Sequence, residues 1–473
     1  MSTTTPTPTG TIAIANVRPF GWRDKVGYLF GDLGNDFVFI LASSYLMVFY
    51  TNVAGIDPAH LAVVFFGARL VDAFADLIWG RFLDTHKPSR LGRFRGWIAK
   101  GAVPLTVVSA LLYLPAIADW DYALRIAYAG ITYLLWGSVF YTMVSISYGA
   151  SASVISTNPT HRASLSVFRA LGANTAGIFV ALVPPLFIYT TVDGVAQVLP
   201  ESFFTIGVIF AGCSLLFYAV CVLGIRERVE RPADAVMPPL KVMLRSLVGN
   251  RALVSIMAAN LTIMLSALLT GSMAAYLWLN YFNDGALSGP AQLAGFLPAL
   301  LLVPVSTWIA KRFGKREAVV AGMSLASLLY FTLAVLRVDS PWVYIGVTLV
   351  AGLGVGIHAI FVWAMIGDVI DEEEVRSGTR SDGSVYSINT WARQLGIAVA
   401  GGLGGLALVA VGFQSGQPVQ SDETIQGIYL VCTIVPGTLF AVAALIMLLW
   451  YPLSRARVAA NTAELAARRD QEA

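Results

Sequence analysis

Charge is the scarcest thing in this sequence. Only 12% of its 473 residues are charged, against about a quarter in a water-soluble domain, while 57% are hydrophobic and the mean hydropathy is +0.71. That balance excludes a soluble globular fold and leaves an integral membrane protein. Cysteine is nearly absent: Cys213, Cys221 and Cys432 each stand alone in an apolar stretch, so neither a disulfide framework nor a cysteine metal site has the spacing it needs. No His-Glu-x-x-His, no Gly-rich phosphate loop after a strand and no Gly-x-Ser-x-Gly turn occurs, which removes the common signatures of a membrane enzyme. The formal net charge of +3 is too small to point to nucleic acid.

Long apolar runs dominate what is present. Crossing the hydrocarbon takes about 20 apolar residues per helix. Twelve stretches meet that length: 26–50, 59–82, 97–117, 124–150, 165–190, 203–224, 252–282, 291–310, 317–336, 342–366, 385–412 and 426–451. The expected fold class is an all-α polytopic membrane protein with twelve transmembrane helices. Of the 31 Lys and Arg residues, 26 fall in the termini and the even-numbered loops. The positive-inside rule therefore predicts a multi-pass protein of the cell (inner) membrane with both termini cytoplasmic.

The longest polar connector separates spans six and seven and carries Pro232, Pro238 and Pro239. It divides the chain into a disordered cytoplasmic tail 1–23, an N-terminal six-helix bundle 24–224, a cytoplasmic linker 225–251, a C-terminal six-helix bundle 252–452 and a cytoplasmic tail 453–473. That last tail is expected as either a short helix or a disordered segment. The basic turn AKRFGKR after span eight occupies the place that GRFLDTHKPSRLGRFR holds after span two. Parallel half-repeats of this kind predict two pseudo-symmetric bundles that rock about a central cavity.

The charges inside the spans point to function. Arg69, Asp72 and Asp76 are spaced three and four apart, which puts them on one helix face. A charge near the bilayer centre costs about 2.5–3.5 kcal/mol on insertion scales, so it persists where it faces a partner, water or cargo. The carboxylate pair, with Thr142 and Ser145 as polar neighbours, either holds Na⁺ or a proton, or forms ion pairs with Arg69 or Arg393 that orient helices.

The chain resembles the major facilitator superfamily, and within it the glycoside-pentoside-hexuronide:cation symporter family, which includes melibiose permease. The resemblance runs from Lys25 to Trp450 and rests on FGDLGNDF, ARLVDAFAD, GRFLDTHKPSRLGRFRGWI, RASLSVFRALG, WAMIGDVIDEEE and SGTRSDGSVYSINTWARQLG, in that order. It implies the major facilitator fold and a cation site at Asp72 and Asp76. It also implies that Asp36 and Arg169 hold sugar hydroxyls from opposite sides of a cavity. The sequence departs from melibiose permease at Ser145, where that protein has a carboxylate, at Gly149, where it has a sugar-stacking Trp, and at Gln394, where it has a Lys that Arg393 immediately precedes here. Asn35 stands where it has a Lys beside the helix-one Asp.

Tyr141 and Asn389 are expected as polar cavity walls alongside Arg393 and Gln394. Asp84, Arg93, Arg162, Asp368, Asp371, Arg376 and Arg380, with Arg69, form the expected charge network and gate. The function expected is secondary active transport of a glycoside, pentoside or hexuronide, coupled to co-transported H⁺ or Na⁺, by alternating access. The alternative on the same fold is transport of a lipid-like or other amphiphilic solute. No prosthetic group, metal, nucleic acid or obligate protein partner is expected beyond the small-molecule substrate and the lipid bilayer. His358 is expected as a packed polar residue.

Overall fold

Hydrocarbon offers no water to peptide groups, so each apolar run satisfies its own N–H and C=O groups by forming a helix. The computed structural model describes residues 12–13, 18–86, 89–156, 158–230, 250–377, 396 and 402–472. In the first half are α1 (Trp22–Val48), ending in a π-helical turn Phe49–Val53, α2 (Pro58–Thr85) and α3 (Arg95–Leu111). Then come α4 (Tyr122–Leu134), joined through a π-helical segment Leu135–Tyr141 to α5 (Thr142–Ile155), and α6 (Pro159–Ile188) and α7 (Pro200–Gly224).

The second half begins with α8 (Arg251–Tyr276) and its π-helical end Leu277–Tyr281, followed by α9 (Ser288–Phe313), α10 (Lys315–Leu336) and α11 (Pro341–Ser377). It closes with α12 (Leu403–Ala410), α13 (Asp422–Leu445) with a π-helical end Ile446–Trp450, and α14 (Arg455–Glu472). Eight helices among the described residues are long and apolar enough to cross a membrane. The expected eleventh span, 385–412, falls mostly outside the described residues, which hold α12 and Gly396 of it.

The chain divides into two compact units: Met1–Ile56 with Val63–Ile188 and Val198–Met237, and Asp57–Ala62 with Tyr189–Gln197 and Pro238–Ala473. In the first, α1 packs against α6 and α7, and α3 against α7 and α5. The α1–α6 crossing is tight at Gly172, where a methyl group would lie 2.5 Å from the Leu29 carbonyl oxygen. In the second, α10 lies against α11 and α13, α9 against α11, and α8 against α13, around Ile256, Val319, Met323, Ile366, Phe440 and Met447. A hairpin of two strands, Tyr189–Val192 and Val195–Val198, belongs mainly to this unit, and the Asn283 carboxamide holds its tip at Gly194 and Ala196.

Two segments differ from what the sequence predicted. Part of the supposedly disordered tail 1–23 is ordered: Ile12–Ala13 pairs antiparallel with Val229–Glu230, and Arg18 donates to the Gly224 carbonyl. The cause is Asp24, fully buried, which gathers Arg18 at 3.0 Å and Arg228 at 2.8 Å and accepts the Arg226 N–H. The start of the expected linker is fixed as well. Glu227 accepts the N–H groups of Arg93, Phe94 and Arg95 at 2.7–2.9 Å, so a carboxylate caps the positive end of α3. The C-terminal tail takes the helical form, α14, tied to α11 through Glu372, Arg457 and Asn461. With 37 residues, α11 is roughly 55 Å long, well beyond a hydrocarbon core of about 30 Å, so its acidic end continues the helix past the span.

Candidate functional site

The charged face of α2 meets α4 and α5 through a ladder of two rungs. Ser138 Oγ donates to Asp72 Oδ1, and Thr142 Oγ1 donates to Asp76 Oδ1 at 3.0 Å. Both rungs join residues 66 positions apart, so two helices of like direction present hydroxyls and carboxylates at matching spacings of four. The π-helical segment Leu135–Tyr141 carries Ser138 and Gly137, and such an inserted residue rotates the turn that follows it. Gly137 lies against the same carboxylate, where an added methyl group would stand in ordinary contact with the Asp72 oxygens at 3.4 and 3.5 Å.

Arg69 completes this group from the turn before Asp72. Its Nη1 lies 3.3 Å from Asp72 Oδ2, with both side chains less than one-fifth exposed. The guanidinium also lies over the rings of Phe39 and Tyr133, at 5.6 and 5.8 Å, which helps to replace the hydration it has lost. Tyr141 stacks on Phe39 at 5.2 Å and on Trp136 at 5.6 Å. It adds an aromatic stack beside the charged ladder. Ser145 is not brought to the carboxylates in the same way: it lies one turn further along the helix, against Tyr141. The hydroxyl on Asp72 comes from Ser138, which the sequence reading did not name.

The second group is built on α1 and α6. Gly172 lets these helices approach closely, and one turn earlier Arg169 Nε donates to Asp32 Oδ1 at 3.0 Å. Asp32 is buried, whereas half of the Arg169 side chain is exposed. The guanidinium also lies 5.7 Å from the Tyr148 ring centroid. Its two terminal nitrogens make no hydrogen bond among the described residues, so the outer edge of the fork is open. Asp36, one turn beyond Asp32 on α1, is half-buried and has no hydrogen bond or ion pair among the described residues. Asn35, where a Lys stands in melibiose permease, is buried and accepts the Tyr218 hydroxyl at 2.7 Å.

Two arginines expected in the charge network bond carbonyls at helix ends. Arg162 bonds the carbonyls of Ser156 and Ser153 at the end of α5, and Arg93 Nε bonds the Leu83 carbonyl at the end of α2. Both guanidiniums thus satisfy carbonyls that a helix end leaves without intrahelical partners. Asp368 takes Lys315 at 2.6 Å instead of one of the expected arginines, while Asp371 and Arg376 lie further along the same helix end. Asn389, Arg393, Gln394 and Arg380 lie outside the described residues, as does the side chain of Asp84. His358 is buried with Nε2 3.4 Å from Asn260 Oδ1.

Comparison with known proteins places these geometries in a family. The model of the MFS/sugar transport protein family matches residues 27–455. The glucuronide carrier protein homolog of Escherichia coli K12 is 28% identical over 92% of this chain and 93% of its own length. A putative sulfoquinovose importer of the same organism is 29% identical over 95% of each chain. The isoprimeverose transporter of Lactiplantibacillus pentosus is 28% identical over 92% of this chain and 89% of its own. Among solved structures, the D-xylose-proton symporter superposes with a TM-score of 0.58 at 13% identity, over 91% of this chain and 97% of that one. A bacterial homolog of the human lysosomal transporter Spinster gives 0.62 at 11%, over 90% and 95%. The shared fold, the matched family and the charged residues held inside apolar helices lead to one identification: the chain belongs to the MFS/sugar transport protein family, in its glycoside-pentoside-hexuronide:cation symporter branch, and is a multi-pass membrane transporter rather than an enzyme.

Proposed function

We propose that this transporter moves an acidic sugar, a hexuronide or a sugar of similar charge, in symport with H⁺ or Na⁺ taken up at Asp72 and Asp76. The observation that carries the coupling site is the two-rung ladder, in which each carboxylate of α2 receives one hydroxyl from the facing helix. Four oxygen-bearing side chains lie within one helical turn, a donor set suited to a hard monovalent cation. A carboxylate pair in apolar surroundings is equally suited to a shared proton. Arg69 supplies the alternative partner: it neutralises Asp72 while no cation is bound and is released when one arrives.

Arg169 and Asp36 supply the sugar contacts. Asp32 fixes the guanidinium through Nε, leaving the terminal nitrogens to receive a carboxylate or sulfonate in a fork. The free carboxylate of Asp36 accepts from sugar hydroxyls. The names of two relatives, a glucuronide carrier homolog and a sulfoquinovose importer, support an acidic sugar over a neutral one. Cation and sugar each favour the state the other occupies, by equal and reciprocal free energies.

The experiment is uptake of labelled glucuronides and neutral glycosides into proteoliposomes under an imposed Na⁺ or H⁺ gradient, comparing the parent with Asp72→Asn and Asp76→Asn. Accumulation driven by one gradient, and abolished by either variant while exchange survives, is the expected result. Parent-like accumulation in both variants, or movement of neutral glycosides alone, would sink the coupling and the acidic-sugar readings respectively.

A further inference from the structure

At the end of the second unit that carries α14, the starts of α10 and α14 and the ends of α9, α11 and α13 enclose a cavity of about 210 Å³. Lys315, Arg316, Asp368, Tyr451 and Arg455 form its polar wall. Tyr451 is only 1% exposed, and its hydroxyl has no hydrogen-bond partner among the described residues. A buried phenol in that condition loses its water and gains nothing in return, so it calls for an acceptor that the protein itself does not provide.

The charges around it do not cancel. Lys315 and Asp368 neutralise each other at 2.6 Å. Arg316 gives Nε and Nη2 to the carbonyls of Met447 and Leu448, and Arg455 gives Nη1 to the carbonyl of Arg312. Carbonyls are neutral, so these bonds orient the two guanidiniums without compensating their charge. The amino end of α10 opens at the same place, behind Gly314 at φ +97°, and its first peptide N–H groups add positive potential. The protein's own anions here are Glu317, whose carboxylate lies against Gly314, Asp368, which is held by Lys315, and Glu372, which is held by Arg457.

We propose that this cavity binds a phosphoryl group, with Tyr451 Oη and the guanidiniums of Arg316 and Arg455 as its donors. A phosphoryl group presents several acceptor oxygens, which suits guanidiniums and a phenol lining one pocket better than a single-point anion such as chloride. The group arrives either free in solution or on an anionic lipid head. The site is separate from the α2 ladder and does not depend on the transport reading.

The test is heat unfolding of the purified full chain, with inorganic phosphate titrated against chloride at constant ionic strength. One arm uses phosphatidylcholine nanodiscs and the other nanodiscs containing phosphatidylglycerol. A ligand of the folded state raises Tm saturably. In the parent, phosphate is expected to do so. Tyr451→Phe is expected to raise the half-effective concentration roughly tenfold, Arg455→Gln at least as much, and Glu317→Gln to lower it. Stabilisation confined to phosphatidylglycerol, and lost in Tyr451→Phe, assigns the same pocket to a lipid head. Absence of any saturable effect in both arms, or an effect that Tyr451→Phe leaves unchanged, overturns the proposal. Tyr451→Phe removes one unsatisfied oxygen and nothing else, so it decides the matter even if Arg455→Gln fails to fold.

Discussion

Asp32, one turn before Asp36, is the carboxylate that holds Arg169, with Nε and Oδ1 3.0 Å apart. The two acids of α1 therefore have different work. Asp32 is buried and fixes a guanidinium in place, whereas Asp36 is half-buried and unengaged among the described residues. Asp36→Asn is expected to weaken sugar binding roughly tenfold with little change in Tm, since only a bond to substrate is lost. Asp32→Asn is expected to lower Tm as well, because it leaves a guanidinium without its charge partner. Sugar titration and thermal unfolding of the two variants separate the roles.

Ser138 is the predicted discriminator for the proposed cation site. Ser138→Ala removes the hydroxyl on Asp72, a hydrogen bond to a charged group worth about 1.5–3 kcal/mol. The cation concentration for half-maximal uptake is expected to rise about tenfold. Ser145→Ala, one turn beyond Thr142, is expected to leave it near the parent value. Equal effects of the two substitutions would reinstate Ser145 as the ligand.

Gly172 tests the helix crossing that sets Arg169. A methyl at this position meets the Leu29 carbonyl at 2.5 Å and Asp32 Cβ at 3.2 Å, both on a packed helix that can yield little. Gly172→Ala is expected to cost about 1–3 kcal/mol of stability and to impair sugar binding together with Tm. Gly149→Ala, where the added methyl would meet nothing within 4 Å, is the control expected to leave both unchanged.

Glu372 gives a dependence on pH. Burial pushes its carboxyl upward, but hydrogen bonds from Arg457 and Asn461 and the charges of Arg457 and Arg376 outweigh that and hold it below its ordinary 4.5. A lowered carboxyl stabilises the docked α14 fully above the unfolded value and loses that contribution as pH falls through the folded one. Amide protection across Arg455–Glu472, exchange taken relative to its intrinsic rate at each pH, is thus expected to be steady above about pH 4.5 and to fall below it. In Glu372→Gln the acid-induced loss of protection is expected to disappear. An unchanged profile in that variant would assign the docking to other contacts.

Sequence reading reached the α2 face because Arg69, Asp72 and Asp76 are charges inside an apolar run, and spacing alone puts them together. It named Thr142 as a polar neighbour of the two carboxylates, and the Thr142 hydroxyl donates to Asp76. It missed Ser138, because an inserted π-helical residue is not written in hydrophobic periodicity. The one available signal was the match of two i,i+4 pairs, Asp72 with Asp76 and Ser138 with Thr142. It also passed over Asp32. Both acids occur in FGDLGNDF, and choosing between them needs the close approach at Gly172, a contact between helices far apart in sequence. The ordering of Arg18 and Ile12–Ala13 was equally hidden, since a Thr- and Pro-rich tail carries no sign of the distant Arg228 and Val229 it meets.

Glu227 has a practical consequence for building variants of this protein. Its carboxylate caps α3, and its neighbours Arg228, Val229 and Glu230 are tied to the end of α5, to Asp24 and to the N-terminal strand. Six residues that sequence assigned to the connector are therefore part of the first half's own architecture. If the two halves are co-expressed as separate polypeptides, or a reporter is inserted between them, the break belongs after Glu230 and before Asn250. A cut at Gly224 would deprive the first half of its cap and of Arg228, one of the two arginines paired with Asp24.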